Sequence, residues 1–282
     1  VKRILRSLYG QKLGTADDYT VLSEQGFLAG VWGRQMAIAD LRKFVVFDDF
    51  DGATLLGTWQ VAKGTDGAAA NFALNGGLSG TIQGTTGATT TTMAGSGIQI
   101  AAHLNLQAQG AAGAAATNDL EFDVKVQTSA ITGLCLFVGY TSQVAALQMP
   151  IQGAGGGNGF TVNNNNCVGF LYDTNMTTQD WWCVGAKAGV AANGIDCGSG
   201  PTAAAWDQFH ISIDQLGNAN FWRNAGGSIL TQPVQMPPSG SITMANAVNP
   251  TTPLTPVIAA FSRIAVSKNI TADYILGSMD RI

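Results

Sequence analysis

From Phe44 onward, apolar and polar residues alternate with the period of two that half-buried strands require. The clearest case sets Leu120, Phe122, Val124 and Val126 against Glu121, Asp123 and Lys125. Phe209, Ile211 and Ile213 alternate with His210, Ser212 and Asp214. Gln215-Leu-Gly-Asn218 then turns the chain into Ala219-Asn-Phe-Trp222, which predicts a hairpin. Ile98 to Leu106 alternates too, with Ile98, Ile100, Leu104 and Leu106 on one side and His103, Asn105 and Gln107 on the other. Leu134 to Val138 is apolar throughout, as in a strand enclosed between layers. Val45-Val-Phe47 opens the body, and Val257 to Val266 with Asp273 to Met279 supply its closing strands. The links at 84–97, 110–116, 153–159, 163–166 and 194–205 are rich in turn-forming residues. No Gly/Pro linker separates two cores, so the pattern predicts one all-β antiparallel sandwich over residues 45–282.

Residues 1–44 read differently. Short apolar clusters (Tyr19 to Leu22, Phe27-Leu28, Val31-Trp32) are broken by Gly10, Gly14, Gly26, Gly30 and Gly33, and only Gln35 to Lys43 has mildly helical spacing. Such a segment cannot bury a core of its own, and we read it as an extended N-terminal arm. Charge supports the division. Seven of the 14 Lys and Arg residues fall in the first 43 positions, beside four acidic residues, for a net +3; the remainder nets −7. The body is therefore almost uncharged: charged residues make up 11% of the chain, against roughly 25% in a typical soluble domain. That scarcity fits a surface covered in an assembly better than a free monomer.

Composition also excludes some functions. A net charge of −4 rules out a general nucleic-acid binder, and +3 on the arm is a weak, easily screened field. No run approaches the ~18 apolar residues of a membrane span. The opening Val1-Lys-Arg-Ile-Leu-Arg-Ser-Leu-Tyr-Gly10 is interrupted by Arg6, too early for a secretory h-region, so the expectation is a protein made and kept reduced in the cytoplasm. Of the four cysteines, Cys135 lies in an apolar strand and reads as a buried small hydrophobe. Cys183 and Cys197 flank a Gly-rich stretch; reduced thiols are the default there and pairing the alternative. Cys167 completes the set, and no metal-ligand spacing is present.

The sharpest catalytic lead is Glu121-Phe-Asp-Val-Lys125, because strand residues two apart share a face and sit ~6.5–7 Å apart, near the separation of glycosidase carboxylates. The stretch resembles the Glu-x-Asp-x-Glu signature of laminarinase-like retaining glycosidases, which are also β-sandwiches. The resemblance implies a nucleophile at Glu121 and an assisting role for Asp123, but Lys125 stands at the acid/base position and cannot perform that exchange. A salt-bridged polar strand face is the favoured reading. Asp207 and His210 lack a nucleophile partner, and the Gly153 to Gly159 stretch lacks the lysine and helix of a phosphate loop. Trp181-Trp182 stands near Asp173 and Asp180, a combination suited to a small sugar or Ca²⁺ site. Adjacent strand residues face opposite ways, so one of the two tryptophans is expected to meet a glycan or a neighbouring subunit. No catalytic site, cofactor or metal is assigned.

Three stretches resemble concanavalin A-like (lectin/laminin-G type) jelly rolls. They are Phe47-Asp-Asp-Phe50 with Leu56-Gly-Thr-Trp59, the hairpin from Trp206 to Asp214 and Gly217 to Trp222, and Thr252-Pro-Leu-Thr-Pro256 leading to Ala272-Asp-Tyr-Ile275. The resemblance covers residues 45–282 and implies a jelly-roll sandwich; it says little about function. In the arm, Leu8-Tyr-Gly-Gln-Lys-Leu-Gly14 and Tyr19-Thr-Val-Leu22 look like the amino ends of tailed-phage head proteins. That resemblance implies a capsid decoration or cement protein, made in the host cytoplasm, docked as a dimer or trimer on the major capsid protein at the virion surface. Arg3, Arg6, Tyr9, Lys12, Trp32, Arg34 and Arg42 are the candidate interface residues, since Trp, Tyr and Arg are enriched among hot spots. The alternatives are a lectin-like glycan- or receptor-binding virion component and, behind it, a polysaccharide-degrading glycosidase.

Overall fold

The structure, a computed structural model, describes residues 43–280 except 51–53, 67–69, 76–79, 104–105, 109–118, 145, 192–193, 227–233 and 236–242. The arm candidates Arg3, Arg6, Tyr9, Lys12, Trp32, Arg34 and Arg42 lie outside the described residues.

Strands form two large antiparallel sheets. The nine-stranded sheet runs β16 (Val234–Gln235), β15 (Ala219–Ala225), β14 (Trp206–Ile213), β6 (Leu120–Thr128), β19 (Asn269–Asp280), β4 (Ile82–Thr85) and β3 (Asn71–Leu74). Beside this path, β1 (Lys43–Asp48) pairs with β19 and β17 (Thr243–Met244) with β15. The sheet thus takes in Lys43 and Phe44, at the end of the segment read as arm. The eight-stranded sheet runs β12 (Val190–Ala191), β11 (Trp181–Lys187), β10 (Cys167–Asp173), β7 (Leu134–Thr141), β18 (Thr255–Ser262), β5 (Ile98–Ala102) and β2 (Trp59–Lys63), with β13 (Ile195–Asp196) also on β11. The hairpin β8 (Ile151–Gly153) and β9 (Phe160–Val162) stands apart from both. Helix is limited, among the described residues, to one turn, α1 (Met93–Ser96), capped by the Thr92 hydroxyl accepting from the Gly95 N–H.

Alternation decides which side chains enter the sandwich. Leu120, Phe122, Val124 and Val126 of β6 are buried against the facing sheet, as are Phe209, Ile211 and Ile213 of β14 and Phe221 of β15. From the eight-stranded sheet they meet Leu136, Val138, Phe170, Trp181 and Ile258. Aromatic rings dominate this core: Phe209 lies 4.4 Å from Phe170 and 4.7 Å, edge-on, from Trp181 between ring centroids. Two tyrosines cross the core and find carbonyl acceptors, Tyr140 at Glu121 (2.7 Å) and Tyr172 at Ile131 (2.5 Å), so burial leaves neither hydroxyl unsatisfied.

The eight-stranded sheet is buried on both faces. Its outer side chains, among them Phe137, Leu171, Trp182, Val184 and Phe261, form a second core with Met149 and with Ile151 of the β8–β9 hairpin, whose Phe160 and Val162 pack against it. This explains the wholly apolar run in β7, every residue of which is buried. The stretch 153–159, read from sequence as a turn-rich link, is the tip of that hairpin. Where β7 and β10 cross, Gly139 (φ +153°) faces Gly169. A Cβ on either would stand 2.3 Å from a backbone carbonyl oxygen of the other strand, so only glycine fits.

Two expected elements change. The strand expected over Ile98 to Leu106 ends at Ala102, and Leu106 makes a separate bridge to Leu254 through paired 2.7 Å hydrogen bonds. The strand expected to reach Val266 stops at Ser262, whose hydroxyl donates to backbone carbonyls of the following turn, Val266 among them at 2.7 Å. These local side-chain bonds compete with continued pairing.

Candidate functional site

The outward parity of β6, β14, β15 and β19 assembles one polar and aromatic face. Across β6, Glu121 stands opposite Ser212 and Ser278, Asp123 opposite His210 and Leu276, and Lys125 opposite Gln208 and Tyr274. On β15 the same parity brings Asn220, Trp222 and Asn224 into the row.

Each central side chain has a partner there. His210 Nδ1 lies 2.7 Å from Asp123 Oδ1, and both residues are buried. The carboxylate selects the tautomer in which Nδ1 carries the proton. Trp222 packs on the imidazole at 4.8 Å between ring centroids. Lys125 Nζ makes a 2.6 Å ion pair with Asp273, which the β19 bulge aims at it, and lies 4.8 Å over the Trp206 ring. Gln208 Nε2 donates to Tyr274 Oη at 2.6 Å. The face is therefore the salt-bridged strand surface favoured from sequence. Lys125, at the position where a glycosidase would hold its acid/base carboxyl, is engaged with Asp273. Around that buried centre, Glu121, Trp206, Ser212, Asn220 and Trp222 keep part of their surface open. Rings flanked by amides and hydroxyls suit stacking and hydrogen bonding more than proton transfer.

Asp207 and His210 do not form a dyad. Three apart on β14, they point to opposite faces, and Asp207 turns into the sandwich. There it accepts from Arg223 Nε (3.0 Å) and Trp181 Nε1 (3.1 Å), while the guanidinium also donates to the Ser199 carbonyl and hydroxyl and the Gly200 carbonyl. This buried knot ties the two sheets together.

The tryptophan pair requires a correction. Trp181 has no exposed surface and belongs to the inner core; Trp182, 7% exposed, belongs to the second core, edge-on to Phe160 with its Nε1 donating to the Thr178 carbonyl. Neither offers an open ring to a glycan or a neighbouring subunit. One tryptophan was expected outside because only one core was expected. Asp173 is likewise committed: fully buried, it receives Arg263 through Nε and Nη2, and the N–H groups of Gly153 and Asn175. No lone pair is left for a cation. Among the described residues no group of three or more His, Cys, Asp or Glu is placed to hold a metal ion, and no helix is long and apolar enough to cross a membrane.

Asp180 faces Asp196. Burial, and then the neighbouring carboxylate, raises its pKa above the ordinary 3.8. A raised carboxyl holds its proton more tightly in the fold than in the unfolded chain. Its contribution to stability is thus present below the unfolded value and lost as pH rises through the folded one. In a carbon-detected NMR titration Asp180 should titrate above 3.8, and Asp196→Asn should move it part of the way back, because burial is the larger cause. A titration unchanged by that substitution would remove the carboxylate contact from the explanation.

Sequence reasoning passed over Trp206 and Trp222 as site residues. Trp222 was nonetheless marked by parity, being a large ring on the outward side of a strand whose Phe221 points inward.

No family model and no curated protein sequence matches this chain. Solved structures do. The winged bean acidic lectin complexed with methyl-α-D-galactose aligns at a TM-score of 0.52 and 9% identity, over 84% of this chain and 98% of that one. Peanut lectin with a nine-residue peptide aligns at 0.50 and 11%, over 85% and 98%. The basic winged bean lectin with Tn-antigen aligns at 0.50 and 7%, over 84% and 98%. At these identities the likeness is one of fold, and the body of the chain is a lectin-like, concanavalin A-like jelly-roll sandwich.

Proposed function

We propose that the chain is a non-enzymatic structural protein of a tailed-phage virion, a capsid decoration or cement protein that docks on the major capsid protein and stabilises the head. The observation that carries this reading is the division of charge: a basic N-terminal segment at net +3 precedes a body with seven basic residues in about 240. The polar face adds support, since Asp123 is engaged by the His210 imidazole and Lys125 is paired with Asp273 within the sheet. A protein that binds only the assembled shell favours that state by its binding free energy, and many copies on a symmetric lattice add avidity without strong single contacts. The test is the thermal stability of purified heads with and without the added chain. The proposal expects a higher disruption temperature at saturating protein. An unchanged temperature would refute it.

A second reading rests on the half-open Trp206 and Trp222 beside Asn220 and Ser212: glycan binding by the outer face. Glycan-array binding that disappears in Trp222→Ala, with the fold intact, would favour it over the capsid.

A further inference from the structure

We infer that Cys183 and Cys197 form a covalent modification site, a thiol pair placed to close into a disulfide that staples β11 to the chain leaving β13. The two Sγ atoms lie 3.6 Å apart, both buried in the inner core. Backbone register puts them there. Cys183 pairs with Ile195 and Trp182 with Asp196, and the Cys197 N–H donates to the Trp181 carbonyl at 2.8 Å. Cys197 therefore stands across from Trp181, two positions along from Cys183 on the same face, and the side chains lean together diagonally. A disulfide at about 2.05 Å requires the sulfurs to close by only about 1.5 Å. Cys135 and Cys167 are segregated from this pair, because both belong to the second core on the far side of the eight-stranded sheet.

The staple would hold more than two strands. Ser199 and Gly200, just beyond Cys197, supply three of the acceptors for the buried Arg223 guanidinium. Closing the disulfide fixes the segment that carries them and shortens the excursions of a two-residue strand paired on one side of β11. Glutathione disulfide is a sufficient oxidant. The Cys197 thiolate attacks one glutathione sulfur, the glutathione S–S bond breaks, and one glutathione thiolate departs. The Cys183 thiolate then attacks the Cys197 sulfur and displaces the second. Two protons and two electrons leave the protein thiols, and one glutathione disulfide becomes two glutathiones. Burial raises the Cys183 pKa well above its ordinary value, so exchange proceeds through opening of the β13 edge rather than from the closed fold.

The experiment treats the full chain with glutathione disulfide just below its melting transition, then maps linked and alkylatable cysteines and measures the melting temperature. The expected product is a Cys183–Cys197 linkage, with Cys135 and Cys167 alkylatable after unfolding. The loop of fifteen residues should raise the melting temperature by about 6–12 °C, reversibly with dithiothreitol. Cys197→Ala should show neither linkage nor rise, while the wild-type comparison stands without any variant. Four alkylatable thiols after oxidation, a linkage through Cys135 or Cys167, or a linked product with no rise would each overturn the inference.

Discussion

Asp207→Ala should lose about 3–5 kcal/mol of folding stability, measured as a drop in the denaturation midpoint at unchanged slope. Asp207 and Arg223 are both at least 94% enclosed, and their shortest contact is 2.9 Å. Removing the carboxylate leaves a buried guanidinium uncompensated and takes the acceptor from the Trp181 indole. The cost of one broken buried pair exceeds the net worth of the pair, because desolvation of the remaining charge is no longer offset. Burial raises the Asp207 carboxyl above its ordinary range, and Arg223 and Trp181 offset only part of that rise. Replacing both partners with apolar residues, Asp207→Leu with Arg223→Met, should therefore cost less than Asp207→Ala alone. A single variant within about 0.5 kcal/mol of wild type would show that the knot carries no stability.

Phe209→Ala comes next, at about 3–5 kcal/mol. Phe209 is fully enclosed, packed against Phe170 and Trp181, each ring held by a different strand. Close-packed β strands on both sides cannot collapse into the space left by a phenyl ring, so most of the cavity persists. Trp222→Ala removes a larger side chain from the outward side of the neighbouring strand and should cost less, because that ring is only partly buried. If the two losses were equal in urea titrations, the assignment of inner and outer faces on β14 and β15 would fail.

That assignment was legible in the sequence wherever one face meets the core and the other does not. The period of two in β6 and β14 marks Phe122 and Phe209 as inward and His210 as outward, and the structure places them so. Partners were less legible. His210 meets Asp123 because β14 pairs with β6, which sets it against a residue 87 positions earlier, and register across such a separation is set by packing of the whole sheet rather than by any local signal. The same limit hid the second core. Met149, Ile151, Phe160 and Val162 are too sparsely spaced among glycines and asparagines to read as strands, yet they share a core with Trp182, and Phe160 meets its ring edge-on. A hairpin lying on a sheet converts an outward tryptophan into a core residue, and the dipeptide Trp181-Trp182 then serves two cores. Lys125 shows the opposite case. Its position beside Glu121 and Asp123 already argued against acid/base chemistry, and its ion pair with Asp273 needed only the bulge in β19 to form.

Quantitative co-sedimentation with assembled phage heads tests most directly the proposed docking of the lectin-like body through its basic N-terminal segment. The full chain should pellet with heads at a saturating, fixed ratio to the major capsid protein. A chain beginning at Lys43, where β1 starts, should keep its β-sheet circular dichroism and stay in the supernatant. A truncated chain that pellets with undiminished affinity, or a full chain that remains in the supernatant, would contradict it.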